Sequence, residues 1–291
     1  MATLQGIMAI SLWSLLALLG ALTTAIPAFQ LLFICFSVST LLMFAGRLIH
    51  RRPMLSPPDL SPGQWLVGIT GLFGFHWCYF TALKWAPALE VSLIVYLWPL
   101  LLSLLVAGRG RRHLAGLGSL LGFGGVAVLI APSGDAGPSN AGLVGYGLAL
   151  CCALIWAGYS WYLSRTKGKA EDIGWVSLAV ALLSLLVHLA TEQGHWPLSA
   201  REGLGALLLG LGPVGGAFYL WDRGLKQGNR PLLASLSFGT PLLSSVVLVL
   251  AGINDWRPAT IAALMLVMLG AGVANLRPRR SAMLKEEGVS G

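Results

Sequence analysis

Apolar residues run along this chain in blocks about as long as a membrane is thick, and polar residues gather between the blocks. A helix that spans a bilayer takes about 20 predominantly apolar residues. Runs of that length lie near residues 4–23, 28–46, 64–84, 87–107, 113–131, 141–164, 173–190, 203–224, 230–252 and 258–276, separated by Pro, Gly or charge clusters. The pattern predicts an all-α polytopic membrane protein with ten transmembrane helices and short connections, leaving no room for a soluble domain. The first run lacks a basic leader and is followed by no small-residue cleavage site, so it is read as a retained membrane helix.

Composition agrees. The chain is 56% hydrophobic and 10% charged, with a mean hydropathy of +0.77, against about 25% charged residues in soluble domains. The net charge of +8 would suggest a nucleic-acid partner in a soluble protein. Position decides otherwise, because cytoplasmic loops of membrane proteins collect Lys and Arg. With the N-terminus inside, the inner segments hold Arg47, Arg51, Arg52, Arg109, Arg111, Arg112, Arg165, Lys167, Lys169, Arg223, Lys226, Arg230, Arg277, Arg279, Arg280 and Lys285. Of the 19 basic residues, only Lys84, Arg201 and Arg257 fall outside. The basic balance is thus a topology signal placing both termini in the cytoplasm, and the RGRRH loop needs no nucleic acid to explain it.

The chain also resembles itself. One constant offset lays Leu83, Lys84, Pro99, Leu100, Leu101 and Ser103 on Leu225, Lys226, Pro241, Leu242, Leu243 and Ser245. Nearby offsets match Trp13 to Trp156 and GVAVL (125–129) to GVANL (272–276). The predicted halves are residues 1–135 and 140–276, followed by a cytoplasmic tail, 277–291. Five helices is an odd number, so the second copy enters the membrane from the opposite side. Inverted repeats are the construction of many secondary transporters, in which two copies rock around a site near the midplane.

The openings MAISLWSLLALLG and CCALIWAGYSWYLS, and the pair ALKWAPALEVSLIVYLWPLL and GLKQGNRPLLASLSFGTPLL, together resemble the EamA-type drug/metabolite transporter superfamily over essentially the whole chain. Within it, FHWCYFTALKWAPALEVSLIVYLWP resembles the branch of aromatic amino acid exporters. The resemblance implies a multi-pass protein of the bacterial inner membrane that exports amino acids, aromatic ones preferred. It also implies Trp161 as a cavity residue.

The residues themselves point to an aromatic-lined cavity. Polar side chains are costly at bilayer depth and those retained usually face a cavity or another helix. His76 and Tyr79 share a helix face. Tyr96 and Trp98 precede Pro99, whose missing N–H and ring clash should open the fourth helix near residue 95. Pro241 is its counterpart in the ninth, and the two are candidate hinges. Tyr and Trp faces suit aromatic rings and ammonium groups, so His76, Tyr79, Tyr96, Trp98 and Trp161 are candidate substrate-binding residues, with His76 available to a carboxylate. Trp13, Trp156, Tyr219 and Asp222 are candidate cavity or gate residues, and Asp222 is expected to pair with Arg223 near the inner membrane surface.

Blander readings stand beside these. Trp65, Trp85, Trp175, Trp196 and Trp256 lie beside span ends and read as interfacial anchors. For Trp161 and Tyr162 an interfacial position is an equal alternative. Trp13 and Trp156 also read as repeat-packing residues, and His76 as a helix-to-helix hydrogen bond. Lys84 and Glu90 read as rim charges that reach water, His188 as structural. Cys35, Cys78, Cys151 and Cys152 lack zinc-site spacing and read as small packing residues. GLGSLLGFGG (116–125) and GLGPVGGAF (211–218) read as helix-packing surfaces. No GxxxxGK[ST] loop, HExxH or acid-rich motif occurs, which argues against an ATP-driven pump or an enzyme. No cofactor or metal is expected. The expected partners are a small-molecule substrate and the lipid bilayer, with monomer and homodimer both open. The rival to the amino acid reading is an exporter of organic cations or other small metabolites.

Overall fold

A computed structural model describes residues 1–130, 142–166, 168–253, 255 and 258–276. The predicted connection between the halves, Lys167, Trp256, Arg257 and the tail from Arg277 onward lie outside the described residues. The helices in chain order are α1 (Ala2–Trp13), α2 (Leu16–Gly20), α3 (Ala28–Ile49), α4 (Pro62–Ile69), α5 (Phe75–Trp85), α6 (Ala88–Val95), α7 (Trp98–Val106) and α8 (Arg112–Ile130). They continue as α9 (Leu143–Leu163), α10 (Ile173–Thr191), α11 (Ala200–Leu211), α12 (Gly216–Gln227), α13 (Arg230–Leu236), α14 (Thr240–Leu250) and α15 (Pro258–Asn275). No strand occurs among the described residues. Grouped end to end, they form ten rods on the ten predicted runs. Seven stretches are long and apolar enough to cross a membrane by length and composition: Ala2–Gly20, Ala28–Ile49, Pro62–Trp85, Leu143–Leu163, Ala170–Thr191, Ala200–Gln227 and Arg230–Leu250. Glu90–Val106 and Ile261–Ala274 are shorter apolar helices. The protein is an all-α, multi-pass membrane protein.

Local chemistry sets where the rods begin. Ser61 caps α4 and Ser199 caps α11, each in a reciprocal capping box, with Gln64 and Glu202 respectively returning a hydrogen bond to the cap. Pro62 supplies a preset φ at the first helical position. α4 opens the third span and α11 the eighth, so equivalent spans in the two halves start with the same device.

Five rods are broken in mid-course. The fourth breaks at Tyr96 and Leu97, two residues before Pro99, and the ninth at a 3-10 turn, Ser237–Gly239, just before Pro241. Each proline lacks the N–H that would have bonded to the carbonyl four residues back, so the break falls where the missing donor puts it. The first rod breaks between α1 and α2, the third carries a π-helical turn at Thr70–Gly74, and the eighth breaks at 212–215. The eighth-span break runs through the segment GLGPVGGAF, so this stretch is an unwound joint as well as a contact surface. GLGSLLGFGG behaves as a packing surface: a Cβ on Gly118 would run into the Gly270 carbonyl of α15.

The packing partners map onto themselves when the halves are exchanged. α8 packs on α15 and α3 on α10, so the fifth and second spans each meet their own counterparts. α1 packs on α12 while α5 packs on α9, the same first-with-eighth and third-with-sixth relation read from either half.

Candidate functional site

A cavity of about 690 Å³ is lined by residues of α1–α3, α5–α7, α9, α11, α12 and α14. It extends from the centre of the bundle to the face opposite the N-terminus, where Gly20 and Ala28 line its rim. Every mid-span break except the π-turn contributes lining: Leu16 after the α1/α2 break, Tyr96 and Trp98 at the α6/α7 break, Pro213 in the eighth span, and Thr240 and Pro241 at the start of α14. Unwound backbone at membrane depth is tolerated where it lines a cavity or is buried in protein, because its freed carbonyls and amides find partners there.

Of the sequence candidates, His76, Tyr79, Tyr96, Trp98, Trp13, Trp156 and Pro241 all line this cavity. Tyr79 stacks on Phe75, with centroids 6.1 Å apart and planes 3° apart. The His76 ring sits edge-on to Phe36 at 5.8 Å and to Phe75 at 5.2 Å. Its Nδ1 lies 2.6 Å from the Leu72 carbonyl oxygen. A carbonyl can only accept, so Nδ1 carries the proton and donates to it, which leaves Nε2 as the ring nitrogen not committed to Leu72.

The cavity floor is formed by Trp13, Trp98 and Trp156 of the first, fourth and sixth spans, backed by the fully buried Trp221 of the eighth. Trp13 packs against Trp221, Trp156 and Trp98 at 5.1, 5.7 and 6.4 Å between centroids. Trp98 lies 6.2 Å from Trp156 and 6.1 Å from Trp221. The crossings are edge-to-face, the geometry that pairs a positive ring edge with a negative face. The Trp13 N–H donates to the Pro213 carbonyl oxygen at 3.1 Å, and the Trp221 N–H to Ser160 Oγ at 3.1 Å. These two donors are therefore used in holding the floor together.

Below the floor, toward the N-terminal face, Asp222 is 0% exposed. Lys226 Nζ lies 2.7 Å from its Oδ1 and donates to the Gly168 carbonyl at 2.7 Å. The partner of Asp222 is thus Lys226 and not Arg223: residues one turn apart share a helix face, whereas neighbours point apart. The ion pair lies within α12, and the Lys226–Gly168 hydrogen bond ties that helix to the loop before α10.

Three candidates stand elsewhere. Trp161 does not line the cavity; the Arg165 guanidinium sits 4.4 Å from its ring centroid. Tyr219 donates its hydroxyl to the Ser39 carbonyl at 2.7 Å, joining α12 to α3. Pro99 is buried beside the fourth-span break. Glu90, read as a rim charge, accepts a hydrogen bond from the Tyr146 hydroxyl of α9. His188 is structural: its ring bonds Glu192, which also accepts from the Phe29 and Gln30 amides at the start of α3. Ser92, Ser244, Phe218 and Thr240 line the cavity as well, and the sequence reading passed over them. Thr240 had one signal, its place immediately before a mid-span proline. Among the described residues, no group of three or more His, Cys, Asp and Glu could hold a metal ion.

These features define a multi-pass helical membrane protein with a cavity of about 690 Å³ lined largely by aromatic and aliphatic side chains. No family model matches the chain. The aromatic amino acid exporter YddG of Ancylobacter novellus is 41% identical over 284 residues, covering 96% of this chain and 98% of that protein. The exporter of the same name from Salmonella typhimurium is 27% identical over 84% of this chain and 87% of its own length, and that of Escherichia coli 26% over the same shares. A solved crystal structure, 40% identical in sequence, superposes with a TM-score of 0.87 over 94% of this chain and 96% of its own. The chain belongs to the YddG family, within the drug/metabolite transporter superfamily.

Proposed function

We propose that the protein is a secondary transporter that exports amino acids, aromatic ones preferred, by exposing the central cavity to each side of the membrane in turn. The observation that carries this reading is the cavity: about 690 Å³, within the range of roughly 300–1,000 Å³ typical of small-ligand sites, walled by aromatic rings and floored by Trp13, Trp98 and Trp156. The names of the relatives support an amino acid substrate and a transporter rather than an enzyme. The halves 1–135 and 140–276 act as two inverted units. The cytoplasmic side, to which the basic residues assign the N-terminus, is the side closed by the indoles and the Asp222–Lys226 pair. Pro99 and Pro241 are the points at which the fourth and ninth spans bend as the closed side opens. The membrane is the bacterial inner membrane.

Export of organic cations is the second reading, since aromatic walls hold cations too. The lining argues against it, because it contains no Asp or Glu. Proteoliposomes loaded with labelled L-tryptophan decide between them. Saturable release stimulated by external L-tryptophan or L-phenylalanine, and unaffected by tetraphenylphosphonium, supports the amino acid reading. Release of labelled tetraphenylphosphonium with none of tryptophan would overturn it.

A further inference from the structure

A second pocket, about 40 Å³, lies beneath the indoles on the side of the N-terminus, where the third, sixth, seventh and eighth spans meet. Its walls repeat those of the large cavity. The offset that lays Lys84 on Lys226 also carries one packing contact onto another: Thr3 meets Gly228, and their counterparts Gly145 and Ala86 meet each other. The same offset pairs Val67, Tyr162, Ile173 and Asp222, one from each span of the small pocket, with Leu209, Gly20, Leu31 and Phe80, and all four of these line the large cavity. The small pocket is thus the outer part of the cavity built again from the other half of the chain, with its walls together instead of apart.

The two differ in chemistry. No Asp, Glu, Lys or Arg lines the large cavity, whereas Lys169, Asp172, Asp222 and Lys226 line the small one. Asp172 is 3% exposed and Asp222 0%. The Oδ2 atom of each is buried with no hydrogen-bond partner among the described residues. Burying carboxylate oxygens without partners is costly, so the closed pocket holds acceptors that its own donors leave unused. Two carboxylates beside two ammonium groups suit a ligand that carries one charge of each sign. A simple cation or anion would face a like charge.

On the amino acid reading above, we propose that this pocket is the closed cytoplasmic entrance, and that on opening its carboxylates and lysines hold the zwitterionic head of an incoming amino acid before it reaches the indoles. Inverted repeats rock against each other around a fixed site. The movement that brings Gly20, Leu31 and Phe80 together is therefore the one that parts Tyr162, Ile173 and Asp222. It also frees Lys226 from the Gly168 carbonyl. A charged entrance opposite an apolar mouth holds the amino acid more tightly at the cytoplasmic face than at the outer one.

The test uses the full-length protein in inside-out and right-side-out membrane vesicles. Ile173→Cys and Val67→Cys place a thiol in the pocket, and the wild type corrects for the native cysteines. A membrane-impermeant maleimide is expected to label both variants from the cytoplasmic face and neither from the outer face. For transport of labelled L-tryptophan, the wild type should half-saturate at a concentration at least about tenfold lower from the cytoplasmic face than from the outer one. Asp172→Asn raises the cytoplasmic value about tenfold by removing one charge-assisted contact, and Lys169→Gln, at an exposed position, about threefold. The outer value moves by less than about twofold in both. Folded, transporting Cys variants that resist cytoplasmic labelling, or that label equally from both faces, would overturn the entrance. Equal half-saturation from the two faces, or variants that shift both values alike or neither, would overturn the capture of substrate there. Absence of saturable L-tryptophan transport by the folded wild type would instead overturn the amino acid reading on which the proposal rests.

Discussion

The Trp13 indole N–H donates to the Pro213 carbonyl oxygen at 3.1 Å, across 200 positions of sequence. Trp13 ends α1 and Pro213 lies in the unwound joint between α11 and α12. One bond therefore satisfies backbone freed in the eighth span and fixes the first indole of the floor. Trp13→Phe keeps most of the ring packing and leaves that carbonyl without its donor. The expected loss is about 1–3 kcal/mol, seen as a fall of several degrees in the apparent Tm of the detergent-purified protein. An unchanged Tm would mean that another group satisfies the carbonyl.

The Asp222–Lys226 pair should show strong coupling. Removing one partner of a buried ion pair leaves an uncompensated charge and is destabilising by about 3–5 kcal/mol. Lys226→Met alone is therefore expected to lower the apparent Tm sharply, and Lys226→Met with Asp222→Asn to recover much of it. A double mutant no more stable than the single one would show that Lys226 acts chiefly through the Gly168 carbonyl.

Glu192 is a helix cap supplied from a distance. Its carboxylate accepts from the Phe29 and Gln30 amides at 3.1–3.2 Å, at the N-terminus of α3, while His188 bonds the same group. Anionic caps at helix N-termini contribute about 0.5–2 kcal/mol. Glu192→Ala should cost about that much and expose the start of α3, raising amide exchange at Phe29 and Gln30 without changing affinity for substrate. Unaltered exchange there would remove the capping role.

The two prolines are expected to act on rate. Pro241→Ala restores an N–H that can bond back to Ser237 and straighten the ninth span. If the break is the bending point, turnover should fall about tenfold while the half-saturating concentration changes little. A changed affinity with unchanged turnover would make Pro241 a lining residue and nothing more.

Much of this was legible in the sequence. The ten apolar runs and the prolines Pro99 and Pro241 announced rods and two of their breaks, because both signals are local. His76, Tyr79, Tyr96 and Trp98 were found because polar and aromatic residues at mid-membrane have few places to go. The π-turn at Thr70–Gly74 and the break after Trp13 carried no proline to mark them. Trp161 was given by resemblance, and its ring lies beside the Arg165 guanidinium instead of on the cavity lining. Which ring nitrogen of His76 meets the Leu72 carbonyl could not be read from sequence, since it depends on the packed conformation.

The most direct measurement is exchange of labelled L-tryptophan by proteoliposomes containing the wild type or Trp98→Ala. Trp98 stands at once in the cavity wall, the floor and the fourth-span break. The account predicts saturable, trans-stimulated exchange by the wild type and a loss of at least about tenfold in a folded Trp98→Ala protein. Exchange that persists undiminished without this indole would contradict transport through the aromatic cavity.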